Sequence, residues 1–493
     1  MTIFSVRLRP VTADAVTCAR LQVSRAVGIG LLAGTALVSG CGGGGMSGSG
    51  GGPIPGETTK VTLLLSSTAN DLMTNYSLQL QTLTLRNAAG TSVNVVSTNQ
   101  GAREYIHLNG GLEPLLTVTV PQDTYTSAAA TVTWPAFTYI YISNAEGPGT
   151  IDINTDGVSG GVPPTLNVTS PIAIEGTAMG LVLNMDVSQS AQFTGNGSTN
   201  FSITPTFDLT PITIAAAPTS IQNGQINEVF GQAIAVSASG FTLQPPWATN
   251  ITFPVTTNSS TVYQGISNAS QLTAGALMNT DLVMQQDGSL LATRVSVPDA
   301  SAKDASIGPL LETIPADNYV NDYGRLDIGA DFPPPGEITG VSAWPFSTTS
   351  ATVFQIDPQF QTPTGLPFTP SFNASNAASG QNVATGTTAL SLQANYSIAS
   401  SVTLEPQTVN GVIESVSTSG SFTQYDVSLA PYDLLTILNG GFSSVQMYTG
   451  SATTNLTTTT PASGMPLRCT GMLFNDNGTL RMVCQQLNDG VAE

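Results

Sequence analysis

Charge is what this chain has least of. Only 9% of its 493 residues are Asp, Glu, Lys or Arg, against roughly a quarter in an average soluble protein. Helices need such residues on their solvent face, so their scarcity speaks against a helical protein. Bases are scarcer than acids, 12 against 31, and the net charge is −19. That excludes nucleic acid as a partner, because phosphate binding needs a positive surface. There is one histidine, His107, so chemistry that uses several imidazoles is closed to the chain. Neither a P-loop nor an H-E-x-x-H signature is present. What the chain does have is a hydrophobic fraction of 41%, enough for packed cores and too much for general disorder. Its length suggests about three domains, or four if they are small.

The few bases gather at the front. Arg7, Arg9, Arg20 and Arg25, with Asp14 as the one acid among them, precede an apolar run over residues 26–38. A bilayer span needs about 20 apolar residues, so this run suits the hydrophobic region of a signal peptide. It ends in Leu37-Val38-Ser39-Gly40-Cys41, which resembles the lipobox of bacterial lipoproteins. In that family the small residues fit the signal peptidase and the cysteine thiol accepts a diacylglyceryl group. The expectation is a signal peptide over 1–40 and a lipid on Cys41 that partners the chain with a membrane. Each buried methylene adds about 0.8 kcal/mol of membrane affinity, so two or more acyl chains hold firmly. Without residues 1–40 the chain has eight bases and thirty acids. A net charge of −22 repels anionic headgroups, so the lipid must do the anchoring. Residues 41–58 are the lipidated cysteine and a Gly-rich tether, with an r.m.s. reach of roughly 20 Å. Gly42 stands where Asp would resemble an inner-membrane retention signal, which favours the outer membrane of a bacterial envelope.

Cys18 falls in the leader, which leaves Cys469 and Cys484 in an exported, oxidising context. They flank Asn475-Asp476-Asn477-Gly478, a hairpin signal. With Asp476-Asn477 as the two-residue turn, Cys469 faces Cys484 and a disulfide forms across the ladder. With Asn477-Gly478 as the turn, the cysteines slip by two residues.

The rest of the body alternates apolar and polar residues at period two, as in Leu181/Leu183/Met185 and Leu116/Val118/Val120, with Gly, Asn, Asp and Pro between segments. That pattern means strands. In Ser77–Arg86 the phase changes between Leu80 and Leu83, which predicts a bulge or turn at Gln81-Thr82. The best helical candidates are short, 308–314 and 430–440. The second half repeats itself. Gly231-x4-Val236-Ser237 recurs as Gly336-x4-Val341-Ser342 and Gly411-x4-Val416-Ser417. Gly275-x-x-Met278, Gly380-x-x-Val383 and Gly464-x-x-Leu467 follow, and each copy closes with a strand, at Leu291–Val297, Ile398–Leu404 and Leu480–Cys484. Three ordered elements in three copies indicate small β modules, and five or six strands suit a barrel that limits exposed edges.

The first copy contains Thr261-Val262-Tyr263, Leu272-x-x-Gly275 and Gly288-Ser289-Leu290-Leu291-Ala292-x-x-Val295. It resembles OB-like modules of unknown function found in bacterial envelope lipoproteins. Residues 59–216 are similar to an uncharacterised lipoprotein module often found ahead of such repeats, an immunoglobulin- or transthyretin-like β-sandwich. The matching pieces are Val61–Leu65, Tyr76–Leu80, Val120–Thr126 and Phe201–Pro205. The resemblances imply an all-β chain: a β-sandwich over 59–216, then three OB-like β-barrels over 222–298, 330–405 and 409–489. Neither family carries an established activity.

Three groups bear on chemistry. Asp152, Asn154 and Asp156, followed by Gly157, begin like a calcium loop, but Pro163 stands where a bidentate Glu is expected. Phe137, Tyr139 and Tyr141 share one face of a strand, either as a stripe that stacks on sugars or as a buried face. Glu175, Asp186 and Asp208 are candidates for a glycosidase carboxylate pair. His107, next to a turn, reads as structural. The expectation is a lipid-anchored, non-enzymatic envelope protein that binds or scaffolds glycan, peptidoglycan or another envelope protein. The alternatives are a secreted polysaccharide hydrolase and a calcium-stabilised adhesin.

Overall fold

The computed structural model describes residues 52–490 except for 69–72, 144–146, 154–162, 169, 194–200, 246–250, 298–301, 303, 314–317, 322–323, 328–342, 392–395, 431–432, 434 and 437–441. The segment expected as a signal peptide and most of the expected tether, with Cys41, lie outside these residues. The fold is all-β. Its described helical content is one four-residue α-helix, Val187–Ser190, two 3-10 turns and the pair Leu435-Thr436. Of segment 308–314, expected as a helix, residues 308–313 are strand instead, within Asp304–Thr313, because pairing with two neighbouring strands supplies backbone partners that its short pattern could not. Of 430–440 few residues are described, and Leu435-Thr436 are helical.

The N-terminal module has, besides a two-stranded sheet of Ala191–Phe193 with Phe201–Ile203, two main sheets around one core. One sheet orders Glu113–Pro121, Thr58–Thr68, Ala178–Asp186, Thr206–Ile212 and Thr165–Asn167. The other orders Ser92–Val96, Met73–Asn87, Asp123–Ser143 and Gly147–Ile153. Val61, Leu63 and Leu65 of the first sheet and Leu78, Leu80, Leu83 and Leu85 of the second are all buried in that core. The phase change in Met73–Asn87 is a β-bulge between Leu80 and Thr82, which keeps all four of its leucines on the inner face.

Three barrels follow, with one topology. The strands of barrel 1 are Gln225–Ser237, Gly240–Gln244, Phe253–Thr256, Leu277–Met284 and Leu290–Ser296. Strand 1 pairs with 2, 2 with 3, 3 runs parallel to 5, 5 pairs with 4, and 4 returns to 1. Barrel 3 repeats this with Gln407–Ser419, Phe422–Ser428, Ser444–Thr449, Pro466–Asp476 and Thr479–Asp489. Barrel 2 uses Asp304–Thr313, Asn318–Asn321, Ala343–Ser347, Asn382–Ser391 and Tyr396–Leu404. It therefore starts near residue 304, ahead of the 330 expected from the repeat. Gly336 lies outside the described residues, and Gly308 holds the place of Gly231 and Gly411. Gly231 faces Met278, Gly308 faces Val383 and Gly411 faces Leu467. A longer insertion in barrel 2 had hidden the match. The glycine is needed because strand 2 comes too close for a side chain. A Cβ on Gly231 would sit 2.8 Å from the Gln244 carbonyl oxygen, and one on Gly411 2.3 Å from that of Ser428.

The hairpin of barrel 3 turns at Asn477-Gly478, both with positive φ (54° and 88°), as a two-residue turn on a twisted ribbon requires. Cys469 thus stands opposite Leu487, and Cys484 opposite Gly471, not opposite each other. The disulfide nevertheless joins them, with their Cα atoms 5.7 Å apart. A bulge between Thr470 and Gly471 widens the offset by one residue, so the bond runs diagonally across the ladder. Closing a loop of this size is worth about 3 kcal/mol in the chain-entropy model.

The modules do not hang as beads. Strand Thr58–Thr68 sends Leu63 and Leu65 into the sandwich core and Leu64 into the core of barrel 1. Strand Pro466–Asp476 sends Cys469 and Leu473 into barrel 3, and Met472 and Phe474 into the core of barrel 2. Lys60 Nζ donates to the Asp287 carbonyl (3.0 Å), and Thr408 Oγ1 to that of Asn109 (2.7 Å). Sandwich and barrels share cores and form one body within residues 51–493.

Candidate functional site

Two buried charge clusters stand out, and they differ in balance. The first surrounds His107. Strand Ala102–Glu104 and the turn after it bring Arg103, Glu104 and His107 to Glu113, the first residue of strand Glu113–Pro121. Glu104 Oε1 accepts from the backbone N–H of Tyr76 (2.9 Å) and Ile106 (2.8 Å). Its Oε2 lies 2.9 Å from both the backbone N and Nδ1 of His107. His107 Nε2 is 3.7 Å from Glu113 Oε2. Burial alone would lower the histidine pKa, but its hydrogen bonds to Glu104 and Glu113 and their charges overcome this and raise it to about 9. Burial lowers that of Arg103 to about 10, against the pull of Glu113. Two cations and two carboxylates thus neutralise one another, as a structural role requires. Because the chain has a single histidine, its imidazole is a clean probe. Its NMR titration in the folded protein is expected to have a midpoint near pH 9, and a midpoint near 6.5 would refute this pairing. The sign follows from a raised pKa: the stabilisation is complete below about pH 6.5 and is lost as pH rises through 9.

The second cluster lies where barrel 1 meets barrel 2. In the first strand of barrel 1 a bulge sets both Asn227 and Glu228 opposite Asp281. Glu228 takes the left-handed backbone conformation, φ 58°, which costs a non-glycine residue about 1 kcal/mol, and its N–H donates to Asp281 Oδ1 (3.1 Å). Barrel 2 supplies Asp357, just after the short strand Val353–Ile356, and Glu405, at the end of its last strand. One carboxylate oxygen each from Glu228, Asp357 and Glu405 lie within 4.8 Å of one another. Asn279 Nδ2 donates to Glu405 Oε2 (3.1 Å), and Gln359 N to Asp357 Oδ1 (2.9 Å). Arg294 Nη1 bonds the Gln359 carbonyl at 3.1 Å and lies 3.8 Å from Asp281 Oδ2. Burial, then the neighbouring carboxylates, push Glu228 and Glu405 well above the usual carboxylate range. Burial raises Asp357 to about 6 and lifts Asp281 as well. Four acids here meet one arginine.

No family model matches the chain, and no curated protein matches it.

The other candidates read from the sequence do not converge. Asp152 pairs with Thr138 in strand Gly147–Ile153. Its side chain, with Asn154 and Asp156, lies outside the described residues. Phe137, Tyr139 and Tyr141 belong to a strand paired on both edges, with Met73–Asn87 and Gly147–Ile153, and their side chains too lie outside the described residues. Asp186 caps the Val187–Ser190 turn, accepting from Gln189 N (2.9 Å). Asp208 is on the adjacent strand. Glu175 is exposed beyond the far end of strand Ala178–Asp186, roughly 25 Å away by strand rise, so these three form no joint site. Gly157-Val158-Ser159-Gly160-Gly161, not among the candidates above, has the spacing of a nucleophile elbow and lies outside the described residues. The one histidine available to such a serine has its Nδ1 on Glu104 and its Nε2 toward Glu113. Sequence reasoning missed the acidic junction because its members are up to 177 positions apart, with no local spacing to mark them.

Proposed function

We propose that this is a lipid-anchored protein of a bacterial cell envelope with a non-enzymatic role, scaffolding or binding glycan, peptidoglycan or another envelope protein. The observation that carries the reading is the pairing of an N-terminal lipobox-like sequence, Leu37–Cys41, with the Cys469–Cys484 disulfide. Such bonds persist in oxidising compartments outside the cytosol. Shared cores between the four modules favour a rigid presenting body over a flexible chain. The resemblance of the repeats to OB-like lipoprotein modules agrees with this. The outer membrane fits Gly42 after the lipidated cysteine. Metabolic labelling with palmitate and envelope fractionation test the anchor. The parent is expected to be labelled and to sediment with membranes, and Cys41→Ser to be unlabelled and soluble. Equal sedimentation of the two would refute the anchor. Binding of the chain to envelope polysaccharide without turnover supports the role. Turnover that disappears on replacing one Asp or Glu would make it a hydrolase.

A further inference from the structure

The junction of barrels 1 and 2 is built from oxygen and short of positive charge. Around His107 each carboxylate has a cation. Here Arg294 pairs with Asp281, and Glu228, Asp357 and Glu405 crowd together with no ion pair of their own among the described residues. Each of the three has one buried oxygen that meets no hydrogen-bond donor, Glu228 Oε2, Asp357 Oδ2 and Glu405 Oε1. A second observation points to a ligand. Asn279 is 2% exposed, and its amide nitrogen is fixed on Glu405, yet its Oδ1 has no donor. Bonded to the same Cγ as that nitrogen, the Oδ1 stays at the cluster. A buried acceptor left bare costs about 1–3 kcal/mol, and several in one place call for a shared partner of positive charge.

We propose that Glu228, Asp357 and Glu405, with Asn279 Oδ1 as a neutral fourth ligand, bind one calcium ion that staples barrel 1 to barrel 2. The donor set is oxygen only, which suits hard cations and not zinc or copper. Two ligands at about 2.4 Å from a calcium ion are at most about 4.8 Å apart, and the three carboxylates meet that limit. Magnesium prefers about 2.1 Å, strict octahedral geometry and several retained waters, which a buried junction serves poorly. Two ligands come from each barrel, so the ion bridges them. None of this depends on acylation of Cys41.

The test is calcium titration of the full chain after dialysis against chelator, followed by calorimetry, metal analysis and thermal melting. One calcium per chain is expected, with the melting temperature at 1 mM calcium rising by on the order of 5 °C and magnesium giving a smaller rise. Asp357→Asn with Glu405→Gln keeps the shapes and removes two charges. The calcium-free double variant is expected to melt no lower than the parent, while its calcium affinity falls at least about tenfold, since ligand charge sets affinity. If that variant does not fold, Asn279→Ala, which removes only the neutral ligand, is expected to weaken calcium binding while the parent binds one ion. Absence of calcium binding by the parent overturns the proposal. So does undiminished binding by a folded variant, which would put the ion elsewhere.

Discussion

Glu104→Ala is expected to destabilise the protein by about 5 kcal/mol, measured by urea unfolding with His107→Gln as the comparison. All four hydrogen-bonding directions of this carboxylate are used, three by backbone N–H groups of Tyr76, Ile106 and His107 and one by the imidazole. Each buried donor left without an acceptor costs about 1–3 kcal/mol. Stripping one member from a buried charge network costs about 3–5 kcal/mol, because the partner stays charged and dry. These terms overlap, so their full sum is not expected. The Glu104→Gln variant keeps one acceptor oxygen and turns an NH2 toward former donors, so it should fall between. A loss under about 1 kcal/mol for the alanine variant would show that water replaces the carboxylate and that the network is dispensable.

Phe474→Ala is expected to cost about 4 kcal/mol, in the range for deleting a buried aromatic ring. More tellingly, it should split the calorimetric transition. The ring is 1% exposed, belongs to barrel 3 by chain, and packs among barrel 2 residues. Its centroid is 5.7 Å from Phe360 and 5.8 Å from Phe368. Phe368 in turn meets Tyr448 at 5.6 Å and lies beneath Arg481 at 5.2 Å. Both phenylalanines come from the insertion that lengthens barrel 2. Losing the ring removes the largest side chain that joins the two cores, beside Met472 and Val483, so barrel 3, held by its disulfide, is expected to melt separately. A single transition shifted only slightly would mean that the barrels are coupled elsewhere.

The class of fold was legible because period-two alternation and a lack of charge leave few options. The bulge in Met73–Asn87 was legible because a phase slip in a strand must be absorbed locally. Gly275, Gly380 and Gly464 marked the fourth strand of each barrel, since each lies three residues before the partner of the strand-1 glycine. The opening of barrel 2 was misread at Gly336, because a repeat search assumes similar spacing and the insertion broke it. The turn was ambiguous between Asp476-Asn477 and Asn477-Gly478, and the left-handed demand of both turn positions favoured the pair with glycine second. One further signal went unused. Runs such as Leu63-Leu64-Leu65 and Met472-Leu473-Phe474 are apolar without alternation, which marks strands buried on both faces.

Composition and local pattern alone determined that this is a β protein of repeated small modules, with a lipobox-like front end and a pair of cysteines at its last hairpin. Those features act over a few residues, where chain geometry dictates the outcome. Tertiary structure decided how the modules share cores, how Cys469 reaches Cys484 across an offset ladder, and how Glu228, Asp357 and Glu405 meet. Residues that distant in the chain are brought together only by packing, and electrostatic consequences such as an uncompensated acidic junction exist only once water has been excluded around them.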